Sequence, residues 1–156
     1  MRDIDGLPAS PAYPILTGGL IAGTLDIAAA IVIHAFRGVR PVRILQSVAS
    51  GLLGPAAFTG GAATAALGLA LHFLIATTAA AVYYLASRRL SGLVRQATLW
   101  GALYGVAVYL FMNFVVLPLS AMRKQPFSLE MAAIMVAIHI VCVGLPIALA
   151  VRRYSG

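Results

Sequence analysis

The sequence predicts an all-α polytopic membrane protein: four transmembrane helices in one bundle, with a short interfacial helix after the first. Three observations carry this expectation. Of the 156 residues 62% are hydrophobic and only 10% charged, whereas about a quarter of a soluble domain is charged. The mean hydropathy is +0.97. The apolar residues fall in runs such as "TAALGLALHFLIATTAAAVYYLA" that are apolar on every face, not in the alternating segments of about ten residues that a membrane β-barrel needs. A spanning helix takes about 20 mainly apolar residues. The chain has room for four and their connections, so residues 1–156 are expected to form a single transmembrane domain.

The polar start "MRDIDGLPASPAYP", with Pro8, Pro11 and Pro14, predicts an irregular tail leading into helix 1 over about 15–35. A secretory signal would need a positive amino end, but here Arg2 is set against Asp3 and Asp5 and the apolar run contains Asp26; the segment is expected to be a retained helix. Over about 39–54, Arg37, Arg40 and Arg43 lie to one side of Val42, Ile44 and Leu45, which predicts an amphipathic helix in the interface, ended by Gly54-Pro55. Helix 2 is expected over about 63–86, stopping at "SRRLSGLVR", and helix 3 over about 97–118, stopping at Pro118. The loop "MRKQPFS" leads to helix 4 over about 129–151, with Ser128 as amino-terminal cap and Arg152 and Arg153 at the carboxyl end.

The net charge of +7 does not form a stripe on a polar domain. Its arginines and lysine stand in small groups beside apolar segments, which points to anionic lipid headgroups and away from nucleic acid. Four helices put both termini on one side. Arg2, Arg88, Arg89, Arg95, Arg152 and Arg153 would share that side, against Arg37, Arg40, Arg43, Arg123 and Lys124 on the other, a majority of one that assigns the termini to the cytoplasm. The lone Cys142 excludes an intrachain disulfide. Gly19/Gly23 and Gly101/Gly105 have the small-xxx-small spacing that lets helices pack closely in lipid. Tyr83, Tyr84 and Trp100 stand where an aromatic belt would lie, and Tyr104 and Tyr109, placed deeper, need hydroxyl partners.

Each helix also carries a polar group at a similar depth: Asp26, His72, Asn113 and His139 form a predicted intramembrane polar layer. A carboxylate at the bilayer centre costs roughly 2.5–3.5 kcal/mol and persists only with a partner or as the protonated acid. Asp26 is therefore a candidate proton-binding group, and the alternative is a brace bonded to Thr24 or to a neighbouring backbone. His72 and His139 could ligate a haem, or with Asp26 a metal, but neither histidine stands in a cofactor motif, so no cofactor and no metal are expected. His34, near a helix end, is expected at the interface. No nucleophile elbow, phosphate loop or paired-cysteine site is present, so the chain is not expected to be an enzyme.

"LALHFLIATTAAAVYYLASRRL", "LWGALYGVAVYLFMNFVVLPLS" and "AIHIVCVGLPIALAVRRY" resemble, in order and spacing, helices of the YagU-like bacterial inner-membrane proteins. The resemblance covers helices 2 to 4, where His72, Asn113, Pro118 and His139 are the matching positions; helix 1 and the first loop depart from it, so Asp26 rests on the bilayer argument alone. It implies a multi-pass protein of the bacterial inner membrane. The leading expectation is proton-linked or small-solute passage, or sensing, through the polar layer by a homo-oligomer or a larger membrane complex. A structural or accessory subunit is the alternative, and a haem-bearing electron carrier the third.

Overall fold

The computed structural model of the chain describes residues 10–122 and 128–155. All regular structure among them is helical. Helix α1 spans Ala12–Ala35, α2 Pro41–Leu53, α3 Gly61–Ser87 and the short α4 Gly92–Arg95. Helix α5 spans Ala97–Leu119 and α6 spans Leu129–Ser155. Helices α1, α3, α5 and α6 are each long and apolar enough to cross a membrane; the shortest, of 23 residues, extends about 35 Å.

Local chemistry sets the ends. Helix α1 starts at Ala12 and includes Pro14, which the sequence reading left in the tail; proline is tolerated in a first turn, where its missing N–H has no helical partner to lose. Gly54 at φ 58° ends α2, a backbone region that side chains other than glycine rarely enter, and a 3-10 turn over Gly54–Phe58 leads into α3. The Ser128 hydroxyl accepts from the Met131 N–H at 3.4 Å and caps α6.

Pro146 lies inside α6, whereas α5 ends one residue after Pro118, at Leu119. Each proline removes an amide donor, and each is preceded by a π-helical turn, Met112–Val116 in α5 and His139–Gly144 in α6. Both turns end two residues before the proline, and just past each turn the Leu117 N–H bonds to the Met112 carbonyl and the Leu145 N–H to the Ile140 carbonyl, one residue further back than in an α-helix.

Successive long helices run antiparallel, so the chain's two ends meet: the rings of Tyr13 and Tyr154 stack with centroids 6.2 Å apart. Helix α1 packs on α3 and α6, and α6 packs on α5. The core lies towards the terminal end, built from Ala22, Ala80, Tyr83, Leu93, Ala97, Val143, Ile147, Ala148 and Val151. Tyr83 belongs to it, not to an aromatic belt: it is 1% exposed and its hydroxyl donates to the Leu93 carbonyl at 3.0 Å. After the "SRRLSG" turn the chain folds back over the end of α3, and the buried Leu93 and Ala97 pack with the ring in the core. Tyr104 meets Tyr83 edge-on at 5.0 Å and donates to the Ala79 carbonyl at 2.7 Å, bridging α5 to α3.

Glycines admit the close helix contacts. A Cβ at Gly19 would stand 2.7 Å from Thr77 Cα, and one at Gly101 2.8 Å from Ala148 Cβ. Gly144 is closer still, its missing side chain taken up by the Gly101 carbonyl and the Gly105 backbone. Gly68 plays the same part for α2, which packs along the first turns of α3 with the Leu45 carbonyl against that glycine. Gln46 on α2 is 3% exposed, and its Nε2 donates to the Gly61 carbonyl at 3.0 Å. The amphipathic helix expected over 39–54 is thus tied to α3 by an inward polar side chain.

Candidate functional site

Close packing stops at one level. No described residue is fully buried beyond Gly23 in α1, beyond Gly105 in α5 or before Val143 in α6. In α3 the buried stripe breaks above Ala76 and resumes only at Gly68 and Ala65, beneath α2. The bundle is therefore tight at the terminal end and looser at the end where the first and third loops lie.

Asp26, His72, Tyr109 and His139 stand within about a turn of that boundary, and Asn113 a turn further. Asp26 follows Gly23 by three residues, His72 precedes Ala76 by four, Tyr109 follows Gly105 by four with Asn113 four further on, and His139 precedes Val143 by four. Steps of three and four keep to one helix face. Each polar side chain thus continues the buried stripe of its own helix into the looser half, and each is partly buried.

Backbone carbonyls hold three of them. His72 Nε2 lies 2.8 Å from the Gly23 carbonyl oxygen on α1. A carbonyl only accepts, so Nε2 carries the hydrogen and the lone pair of a neutral ring is on Nδ1. His139 is held the other way: Nδ1 donates to the Met135 carbonyl at 2.8 Å, which leaves Nε2 as the free nitrogen. Asn113 Nδ2 donates to the Tyr109 carbonyl at 2.9 Å. The Tyr109 ring meets the His139 ring edge-on at 5.5 Å.

Asp26 makes no hydrogen bond or ion pair with a described residue, Thr24 included. It lies within electrostatic reach of Cys142 on α6. Gly105 faces the His139 backbone, and Asn113 lies eight residues, about 12 Å, further along α5, so Asn113 stands about two turns from His139; no two of the four predicted layer residues bond to each other, and among the described residues no three His, Cys, Asp or Glu side chains gather into a metal-binding group. His34 donates from Nδ1 to the Ala30 carbonyl at 2.8 Å, within its own helix.

Sequence reasoning did not find the pairing of Tyr109 with His139, although the need of a deep tyrosine for a neighbour hinted at it. Nor did it find the two π turns; the Leu-Pro pairs at 117–118 and 145–146 inside long apolar runs were the available signal. Cys142 was read only for its disulfide chemistry.

No family model matches the chain, and no curated protein or solved structure matches it either.

Proposed function

We propose that the chain is a multi-pass protein of a bacterial inner membrane, akin to the YagU-like proteins, that binds and passes protons, or a small solute with them, past Asp26, His72, Asn113 and His139. The observation that carries this reading is Asp26, an inward carboxyl half-way along an apolar helix, with no described partner. In lipid that group is stable only as the acid or in contact with water or a cation. The imidazoles beside it each keep one nitrogen lone pair free for a proton, because the other nitrogen is fixed on a carbonyl. The looser half of the bundle is the water-accessible side, and the core around Tyr83, Ile147 and Val151 closes the other. A second copy of the chain completes the pathway through the looser half.

The accessory-subunit reading is supported by a different observation: His72, Asn113 and His139 all bond to backbone carbonyls, as braces would. Cysteine accessibility separates the two. On a Cys142→Ala background, cysteines at Asn113 and Val116 should react with a membrane-impermeant thiol reagent while cysteines at Ala80 and Ala148 stay silent. Silence at all four positions favours the brace.

A further inference from the structure

Between α1 and α6, at the terminal end, Ile21, Pro146, Leu149, Arg152, Arg153 and Tyr154 line an open groove of about 740 Å³. Its floor is sealed: a Cβ at Gly18 would already touch Ala150 Cβ at 3.4 Å, so the groove runs along the surface of the bundle and not into it. Chemistry changes along its length. Pro146 and Tyr154 are eight residues apart, about 12 Å on a helix axis; the deep end is apolar, and the mouth carries two guanidinium groups. The stacking of Tyr154 on Tyr13 fixes the rim.

No described carboxylate answers those arginines. The chain has four acidic residues; of the two that are described, Glu130 begins α6 at its far end, and Asp26 lies more than a turn deeper than Ile21. A groove with a doubly cationic mouth and an apolar trough is complementary to one class of ligand, an acyl chain that ends in an anion. Depth agrees. Helix α6 has 27 residues, about 40 Å, longer than a hydrocarbon core of about 30 Å, so its last turn stands at headgroup level when the helix spans.

We propose that this groove binds one anionic phospholipid, with its phosphate held by Arg152 and Arg153 and an acyl chain lying along Ile21, Pro146 and Leu149. Arginine presents forked donors that match phosphate oxygens, and basic pockets between membrane helices take such headgroups. The inference rests on the membrane reading above, and the test separates the two.

The full chain is first recovered from membranes: release without detergent overturns the membrane reading itself. The detergent-solubilised protein is then titrated with phosphatidylglycerol or phosphatidylcholine of the same acyl chains and weighed by native mass spectrometry. One phosphatidylglycerol per protomer should be retained in preference to phosphatidylcholine. The Arg152→Gln/Arg153→Gln variant should weaken retention by roughly tenfold or more, whereas Arg88→Gln/Arg89→Gln, an equal charge loss at the same end of the bundle, should leave it unchanged. Where the double glutamine variant loses helicity by circular dichroism, Arg152→Lys/Arg153→Lys carries the test, since it keeps the charge but loses the fork and should weaken retention less.

Equal retention of both lipids overturns the proposal, as does equal loss in the two glutamine doubles. Full displacement by inorganic phosphate alone would make this a site for a free anion. Phosphatidylglycerol binding that appears only in an Asp3→Asn/Asp5→Asn variant would mean that the chain's own amino-terminal segment fills the groove.

Discussion

His72 donates from Nε2 to the carbonyl of Gly23, 2.8 Å away on the neighbouring helix and three residues before Asp26. One bond thereby fixes the imidazole, its tautomer and the spacing of α1 and α3 beside an acid with no partner among the described residues. Gly23 permits the approach: a Cβ there would stand 2.7 Å from the Phe73 ring.

Replacing His72 by Phe keeps the bulk and removes the bond. The Gly23 carbonyl retains its own helical partner, so no group is orphaned, and the loss should be about 0.5–1.5 kcal/mol. Denaturant unfolding in detergent micelles measures it.

The glycine contacts give a sharper contrast. Gly144→Ala forces the α5 backbone away from α6, since neither the Gly101 carbonyl nor the Gly105 Cα can rotate aside, and should cost about 1–3 kcal/mol. Gly51→Ala meets only Ser120 Cβ at 3.8 Å; there alanine should be neutral, or stabilise α2 by up to about 1 kcal/mol. Thermal unfolding of the two variants side by side checks the prediction.

The two bridging tyrosines should also differ. Tyr104→Phe removes a bond to a carbonyl inside α3, at about 0.5–1.5 kcal/mol, whereas Tyr83→Phe takes the donor from the Leu93 carbonyl in a buried corner, at about 1–3 kcal/mol. Unfolding midpoints of the two variants should rank in that order.

Tyr83 marks where sequence reasoning stops. The four long helices were legible because apolar length alone defines them, and Ser128 because a serine before an apolar run has few other uses. A tyrosine near a helix end reads the same whether it faces lipid or the core; only the fold-back that packs Leu93 and Ala97 with it decides. Gln46 is similar: its place on α2 was readable, but its burial depends on Gly68, a residue 22 positions away that is small enough for α2 to settle on α3. Asp26, His72 and His139 were singled out by counting residues along helices. That they stand where close packing ends did not follow from the count, because periodicity shows which face turns inward and not how far the bundle stays closed.

Pro118→Ala returns an amide donor to α5, which should let the π turn over Met112–Val116 relax towards a regular helix. Hydrogen–deuterium exchange at those residues should slow, while exchange around Gly101 stays as it is. Unchanged exchange across Met112–Val116 would separate the turn from the proline.

The most direct test of the central claim is proton movement into liposomes reconstituted with the protein, followed by an entrapped pH-sensitive dye after a pH jump. The wild type should acidify the lumen faster than protein-free liposomes, and Asp26→Asn, of wild-type helicity and thermal stability, should fall to the protein-free rate. A folded Asp26→Asn variant that conducts like the wild type, or a wild type no faster than empty liposomes, would contradict the account and leave Asp26 as a structural group.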